Sequence, residues 1–461
     1  MISPPEGFSY YALHPLDFGR LALGAASRDK VAAVIGIRSI GTTLSAVVSA
    51  ALIATGVQAQ RITVRPIGHP YDRVLQWNVT QIAWIKQQLA NNAQFLIVDE
   101  GPGRSGSTFL AVAEALVEAG VALEQITLLG SRHPDPGQLC AKDGARRWSQ
   151  FRFVAVEPDP HSRFRNYTYV GGGDWRHHFL RDVSDWPACW PQMERLKFLS
   201  PDGRRFWKFE GLGRVGAEVQ SCSRLLAEAA FSPRSEEGGE GFANYEVLQG
   251  IPLSREHLTP SILNGIAQYC AFRASELHIA AAIPDQLASM VSFNAQQQFG
   301  IDLRLQPDEL ATTRSVLADG HMQPHEWVAT REGLLLKTDA CTHGNDHFFP
   351  GPCDIAWDLA GAAIEWDLPT DAVEQLLSQF QTITGDRIAD RFPAFALAYA
   401  VFRLAWCKMA LPTVVATNEE PRIRRAYIRY RKQAEYQVLL RQSKQPGDTV
   451  ILRHDVEPVA L

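Results

Sequence analysis

Short apolar runs alternate with longer amphipathic stretches over the first 160 residues. The intervals between these runs carry apolar residues at helical spacing, as in FLAVAEALVEAG over residues 109–120. A regular alternation of strand and helix predicts a doubly wound parallel sheet, with ligands bound at the carboxyl ends of the strands. The predicted strands cover residues 31–37, 61–66, 95–98, 125–131 and 151–158.

The pattern changes in the second half of the chain. Two strand-like runs flank Pro201-Asp202-Gly203, which predicts a hairpin, and a helix is expected over residues 215–231. Residues after 258 have mainly helical spacing. The second half is therefore predicted to be α+β. We expect domains over residues 1–158 and 193–461, joined by a connector over residues 159–192.

Composition narrows the function classes. The 461 residues carry a net charge of −5, which argues against a general nucleic-acid binder. The basic, aromatic stretch 422–433 is better explained as a solvated helix face than as an RNA contact. The seven cysteines are scattered without CxxC pairs, and no signal peptide or membrane-length apolar run is evident. We expect a cytoplasmic protein that does not enter a membrane.

Residues 95–108, FLIVDEGPGRSGST, combine an apolar strand with two carboxylates and a loop of small residues. A helix starts directly after the loop, so its free N–H groups and dipole favour an anion. Gly106 allows close backbone approach, and Ser105 and Ser107 supply hydroxyl donors. Asp99 and Glu100 are suited to vicinal hydroxyls, directly or through a divalent ion. The stretch predicts a sugar-phosphate site.

This stretch resembles the phosphoribosyl-pyrophosphate (PRPP) signature of type I phosphoribosyltransferases, over about residues 25–135. The resemblance implies Mg²⁺-dependent transfer of a phosphoribosyl group to a small-molecule acceptor. Asp99 and Glu100 would bind the ribose hydroxyls. The variable part of the signature is one residue longer here than is usual. Arg104, in this variable part, would contact PRPP, and the 5′-phosphate would be bound by Ser105, Gly106, Ser107 and Thr108.

Two further loops belong to the implied site. The loop after the first strand is similar to the pyrophosphate loop of that family, and residues 65–73 lie where the family often has a mobile catalytic loop. The acceptor pocket would be built by a variable hood, here residues 1–30 and the loop after Ser131. A homodimer is compatible with the resemblance. The pyrophosphate contacts implied in these loops are Arg38, Ser39, Ile40, Gly41, Arg65, His69 and Arg73. The catalytic residues implied for this site are Arg38, Arg65, Asp99 and Glu100.

The segment from about residue 195 to about residue 440 resembles aminoglycoside phosphotransferases and choline kinases, whose fold is protein-kinase-like. Lys208 stands in the second strand of the predicted hairpin, and Glu218 lies on the following helix. Tyr245 opens a stretch similar to the hinge of these enzymes. The resemblance implies that Lys208, Glu218 and Tyr245 bind a nucleotide, with ATP as a second ligand of the chain.

The stretch ADGHMQPHEWV, residues 318–328, mirrors the catalytic loop of that family but departs from its His-Gly-Asp pattern. His321 stands where the catalytic aspartate belongs, and Glu326 where the metal-binding asparagine belongs. Asp339 matches the metal-binding aspartate. A histidine can act as a base near neutral pH, and a glutamate can bind a metal. We therefore expect His321 to be catalytic and Asp339 and Glu326 to bind metal.

Three hypotheses remain open. The chain is a phosphoribosyltransferase with a divergent kinase-like domain, a regulatory protein that senses PRPP or nucleotide without turnover, or a small-molecule kinase with a phosphosugar-binding domain. His343, Asp346 and His347 are close together in the sequence. They are expected to shape the cleft, and the alternative is that they form a separate metal site. The acceptor is not identified by the sequence.

Overall fold

The structure is a computed structural model, which describes residues 6–10, 12–103, 105–156, 164–279, 284–301, 303, 305, 307–312, 314–342, 348–349 and 351–444. The chain divides into two compact units, Met1–Asn166 and Tyr167–Leu461. The predicted connector contributes its residues from Tyr167 onward to the second unit.

The first unit alternates strands and helices, as predicted. Its helices are α1 (Glu6–Ser9), α2 (Pro15–Ala25), α3 (Gly41–Ala54), α4 (Val79–Ala90), α5 (Ser107–Glu118) and α6 (Gly144–Trp148). Its strands are β1 (Ala32–Ile37), β2 (Ala59–Val64), β3 (Ile67–His69), β4 (Asp72–Val74), β5 (Gln94–Val98), β6 (Ile126–Gly130) and β7 (Arg152–Ala155).

Five of these strands form one parallel sheet in the order β2-β1-β5-β6-β7. Alternate residues of a strand face opposite sides, so each side needs its own apolar cover. Ala33 and Ile35 join a core with residues of α5, whereas Ala32 and Val34 join a separate core with residues of α2 and α3. The prediction of a parallel sheet with helices on both faces is confirmed.

Residues 67–74, most of which the resemblance assigned to a mobile catalytic loop, form the antiparallel hairpin β3–β4. Gly68, with φ of +95°, pairs with Arg73, and the Arg73 guanidinium donates to the Gly68 carbonyl at 2.9 Å. The strands are only three residues long, and the alternation signal needs four or more residues. Their tip, at Pro70 and Tyr71, reaches the loop before α5, as described below.

The second unit begins with a five-stranded antiparallel sheet in the order β11-β12-β10-β9-β8. The predicted hairpin at Pro201-Asp202-Gly203 joins β9 to β10, with Gly203 at φ of +69°. A small second sheet has the order β13-β14-β15. The strands are β8 (Thr168–Tyr169), β9 (Lys197–Leu199), β10 (Arg205–Phe209), β11 (Ser235–Gly239), β12 (Phe242–Glu246), β13 (Gly250–Pro252), β14 (Trp327–Thr330) and β15 (Leu335–Lys337).

Helices make up most of the rest of this unit and share one apolar core. One helix in the described part of the chain, Phe392–Thr413, is long and apolar enough to cross a membrane, but 78% of its most apolar window is buried inside the protein. The helices are α7 (Trp175–Phe179), α8 (Arg214–Glu228), α9 (Pro260–Glu276), α10 (Pro284–Phe299), α11 (Ala356–Glu365), α12 (Thr370–Thr384), α13 (Phe392–Ala410) and α14 (Glu420–Lys444).

A buried ion pair ties the long segment between β8 and β9 to the helical part of the same unit. Arg176 donates to both carboxylate oxygens of Glu419, at 3.1 and 2.5 Å. The amide of Cys189 and the guanidinium of Arg422 also donate to this carboxylate, at 3.3 and 3.0 Å. Because both partners are buried, removing one charge leaves the other without compensation.

We predict that Glu419→Gln lowers the free energy of unfolding of the second unit by about 3 kcal/mol, since Arg176 stays buried without its counter-charge. Urea unfolding measures the change. Asp390→Asn is the matched control, because Asp390 pairs with Arg387 on the surface at 3.8 Å and the change should leave stability unaltered. Equal stability of Glu419→Gln and the unaltered chain would contradict the prediction.

Candidate functional sites

In the first unit, the strand order reverses between β1 and β5: the chain continues from β1 to β2 on one side and from β5 to β6 on the other. The connection from β1 leads to β2 on one side, whereas β5 pairs with β1 on the other. Such a switch point leaves a crevice at the carboxyl ends of the two strands, which is where parallel sheets bind ligands. The Arg38–Gly41 loop follows β1 and the Asp99–Thr108 loop follows β5, so both predicted loops border this crevice.

The two loops are packed against each other through a glycine. A Cβ on Gly41 would come within 2.5 Å of the Val98 carbonyl oxygen and 3.4 Å of Asp99 Oδ1. Burial raises the pKa of Asp99 to about 7, a shift that the nearby Glu100 charge increases and the hydrogen bonds from the Glu100 and Gly41 amides partly offset. Asp99 therefore changes its charge near neutral pH.

The serines of the second loop are bonded to the β3–β4 hairpin. Ser105 Oγ and Ser107 Oγ donate to the Pro70 carbonyl oxygen at 2.9 and 2.6 Å, and lie 2.9 Å from each other. Gly106, in the left-handed conformation with φ of +67°, precedes α5, and a Cβ there would lie 3.2 Å from the Trp148 ring. The hydroxyls are thus gathered at the helix start, where a carbonyl oxygen now accepts their hydrogen bonds.

The remaining predicted contacts in this unit are placed as follows. Arg38 is exposed and its Nε donates to Thr63 Oγ1 at 3.0 Å, and Arg65, directly after β2, is also exposed. Ser39 and Ile40 precede α3, and Thr108 lies in the first turn of α5. Arg104 lies outside the described residues. The first helix approaches the crevice, since a Cβ on Gly7 would lie 3.2 Å from Glu100 Oε1.

In the second unit, Lys208 lies on β10, the third strand of its sheet in chain order, and is buried. Its ammonium donates to Asp339, which follows β15, and to Thr342 Oγ1 at 3.2 Å. Glu210, two residues further on, lies 3.4 Å from the same ammonium. A cation from the antiparallel sheet and a carboxylate from beyond the small sheet therefore meet in one buried centre.

Besides Asp339, the carboxylate near Lys208 is Glu210 and not the predicted Glu218. Glu218 is exposed on α8 and pairs with Arg214 at 3.4 Å. The signal was available, because residues i and i+2 of a strand share a face. Tyr245, predicted to bind nucleotide, donates instead from its hydroxyl to Glu210 Oε1 at 2.8 Å. It fixes the orientation of that carboxylate.

His321 is held between two charged side chains. Arg403 donates to His321 Nε2 at 3.0 Å, and His321 Nδ1 lies 3.8 Å from Glu326 Oε1. A guanidinium cannot accept a hydrogen bond, so Nε2 uses its lone pair on Arg403. In this arrangement His321 does not present a free basic nitrogen at Nε2, which the expectation of a catalytic base requires. The isolated arginine in the apolar α13 is the signal that sequence reasoning missed.

The predicted metal ligands have different surroundings. Asp339 is partly exposed, with a side-chain exposure of 23%. Glu326 accepts a hydrogen bond from Lys337 at 2.9 Å, so the expected metal position is already neutralised by an ammonium. No group of three or more His, Cys, Asp or Glu side chains in the described ranges is arranged to hold a metal. His343, Asp346 and His347 lie outside those ranges.

The loop that carries His321 is fixed by hydrogen bonds from its backbone to Asp358. The Asp358 carboxylate, on α11, accepts hydrogen bonds from the amides of Asp319 and Gly320 at 2.8 and 3.0 Å. Burial raises the pKa of Asp319 to about 6, although Lys337 and Arg273 act in the opposite direction. The loop is therefore held through its backbone, and the side chains of Asp319 and Glu326 bond to Lys337.

No family model matches the chain, and no curated protein matches it. Solved structures of small-molecule kinases are similar to about half of it. The choline kinase LicA from Streptococcus pneumoniae is 14% identical over 52% of this chain and 89% of its own, with a TM-score of 0.37. An ethanolamine kinase from Plasmodium vivax is 10% identical over 53% and 78%, with a TM-score of 0.36.

A third similar structure is the GDP complex of aminoglycoside 2′-phosphotransferase-IIIa. It is 12% identical over 54% of this chain and 90% of its own, with a TM-score of 0.37. Similarity at this level carries no conclusion about the activity of this chain, which has to be argued from its own residues.

We predict that Asp99→Asn stabilises the first unit at pH 8 by about 2 kcal/mol, because the native state no longer has to hold an ionised carboxylate in a buried position. A carboxyl with a raised native pKa stabilises the fold at low pH, and this contribution is lost as the pH rises to about 7. The gain should therefore disappear near pH 4. Urea unfolding at both pH values measures it.

The control for this comparison is Asp143→Asn, on an exposed carboxylate of the same unit whose side chain is 56% exposed. It should change stability little at either pH. A gain from Asp99→Asn that is the same at pH 4 and pH 8 would contradict the assigned titration.

Proposed function

We propose that the second unit binds a nucleoside triphosphate with Mg²⁺ and transfers a phosphoryl group to a small molecule. The observation that carries this proposal is the buried ammonium of Lys208 bonded to Asp339. A strand lysine and a carboxylate after the small sheet are the two charged groups that hold phosphates and metal in kinase-like sites. The strand order and the helix α8 between β10 and β11 support the assignment of a kinase-like nucleotide-binding site to this unit.

The oxygen ligands of this centre suit a hard cation. Glu210 Oε2 is buried without a hydrogen-bond partner in the part of the chain that is described, and the nearest ion-pair partner is Arg195 at 3.7 Å. Asp339 is partly exposed and is the most accessible of Lys208, Glu210 and Asp339. Magnesium binds carboxylate and phosphate oxygens, so Asp339 would hold it, and the ion would neutralise charge on the phosphates.

Lys208 has a direct role in this proposal. Its ammonium is bonded to Asp339 and lies near Glu210, so it is oriented toward the centre. Exchanging the Asp339 bond for phosphate oxygens keeps the buried charge compensated. Tyr245 and Arg195 keep Glu210 in place during this exchange.

A strong base is not essential for such a reaction. Phosphoryl transfer depends mainly on positioning and on electrostatic stabilisation, with little covalent work for the protein. The Arg403 guanidinium, bonded to His321, adds positive charge beside this loop, which would favour negative charge that develops on the transferred group. We therefore expect slow turnover relative to enzymes that have an aspartate at this position.

We predict that Asp339→Asn and Lys208→Met each weaken binding of ATP with Mg²⁺ at least tenfold, because each removes one of the two charges that hold the phosphates. Isothermal titration measures the affinity. Lys432→Met, on the exposed side of α14, is the matched control and should bind as the unaltered chain does. Unchanged affinity in both site variants would rule out this centre as the nucleotide site.

A second candidate function belongs to the first unit: phosphoribosyl transfer from PRPP to a small-molecule acceptor, with Mg²⁺. It is favoured by the convergence of the Asp99–Thr108 and Arg38–Gly41 loops at the switch point of the sheet. The helix start beside Ser107 suits the 5′-phosphate, and the exposed Arg38 and Arg65 suit pyrophosphate. Asp99 and Glu100 suit the ribose hydroxyls.

We predict that the double change Ser105→Ala with Ser107→Ala weakens PRPP binding about tenfold or more, because both hydroxyl donors to the phosphate are lost. The Pro70 carbonyl also loses its partners, so folding is checked by circular dichroism. Ser149→Ala, at an exposed position of the same unit, is the control. Fluorescence or calorimetric titration gives the affinities.

Pyrophosphate release separates transfer from sensing. A unit that transfers the phosphoribosyl group releases pyrophosphate when PRPP and a suitable acceptor are both present. A regulatory protein binds PRPP without release. Equal PRPP affinity of the double variant and the unaltered chain would contradict the site itself.

A further inference from the structure

Lys337 is a buried ammonium beside the proposed phosphotransfer centre that the proposed function does not use. It ends β15, and its side chain has no exposed surface. Its Nζ donates to Asp319 Oδ1 at 3.2 Å, to Glu326 Oε2 at 2.9 Å and to the Thr338 carbonyl oxygen at 2.9 Å. An ammonium has three donors, and each of the three has an acceptor here.

The two carboxylates that Lys337 joins are fixed by other groups as well. Tyr269 donates to the second oxygen of Asp319, and the amide of His321 donates to Oδ1 at 3.2 Å. The second oxygen of Glu326 faces His321 Nδ1. Glu326 therefore has the Lys337 ammonium on one carboxylate oxygen and His321 beside the other.

Kinase-like sites usually hold two magnesium ions, one of them at the loop position that Glu326 occupies here. The residues of this chain do not fit that second ion. A divalent cation needs carboxylate oxygens that are free to coordinate it, whereas Asp319 Oδ1 and Glu326 Oε2 accept hydrogen bonds from an ammonium that is covalently part of the chain. The position is filled, and its charge requirement is met without metal.

We propose that Lys337 takes the place of the second divalent cation, so that the second unit binds its nucleotide with one metal ion, held by Asp339. The inference rests on the proposed function, since it concerns the nucleotide complex. Independently of any nucleotide, the Asp319–Glu326 pair needs a cation, and Lys337 is that cation. Removing Lys337 leaves two buried carboxylates without compensation and creates a place for a divalent ion.

The first test counts metal ions in the complex. The unaltered chain is saturated with a non-hydrolysable ATP analogue, and bound Mn²⁺ is measured by equilibrium dialysis with electron paramagnetic resonance. One Mn²⁺ per chain supports the inference, and two overturn it. Failure of the analogue to bind contradicts the proposed function instead, and the inference is then decided by the second test.

The second test uses no nucleotide. Lys337→Met should lower the melting temperature, and millimolar Mn²⁺ or Mg²⁺ should restore about half of the loss by binding between Asp319 and Glu326. The unaltered chain should gain much less from the same ions. The double variant Lys337→Met with Glu326→Gln should not be rescued, because one carboxylate of the new site has lost its charge.

A Lys337→Met chain that gains no more from divalent ions than the unaltered chain would overturn the inference. If Lys337→Met does not fold at all, the Mn²⁺ count on the unaltered nucleotide complex decides between one ion and two.

Discussion

The centre of the second unit depends on the buried carboxylate of Asp358. It accepts the amide hydrogens of two successive loop residues, Asp319 and Gly320, and its charge is balanced by Arg273 at 3.6 Å. A carboxylate that binds backbone donors in a dry interior fixes the path of the chain more firmly than a side-chain contact on a surface. Because the loop path is fixed, the positions of His321, Glu326 and their partners follow from it.

This arrangement explains why so much charge is buried in one place. Lys208 and Asp339 form one compensated set, Lys337 with Asp319 and Glu326 a second, and Arg403 with Glu365 a third. Each set costs desolvation energy and would be unstable with one member missing. In the function proposed above, the Lys208–Asp339 set would be the one that binds the phosphates of a nucleotide.

In the first unit the sheet topology has the same organising role. The order of β1, β2 and β5 in the sheet places the loops after β1 and β5 at one crevice. Close packing at Gly41 brings these two loops into contact. Asp99 is enclosed by this contact, which accounts for its raised pKa. Asp99 thus combines a carboxyl that is costly to ionise with a position at the edge of the sheet where the phosphoribosyl site is proposed.

The sequence by itself determined the elements and the location of both loops. Apolar runs and small-residue loops are local signals, so the parallel sheet, the hairpin at Gly203 and the loop from Asp99 to Thr108 were predictable. Only the tertiary structure decided the partners. Glu210 rather than Glu218 lies beside Lys208, and Arg403 reaches His321 from a helix 82 residues away in the chain.

The reason is physical. Hydrophobic periodicity records which face of an element is buried, but charge compensation depends on distances between elements that no local pattern encodes. A lysine in the motif LLLKTDA has the same sequence signal whether it faces solvent or lies between two carboxylates. The fold placed Lys337 between Asp319 and Glu326, and this placement changes the expected metal ligand into one half of an ion pair.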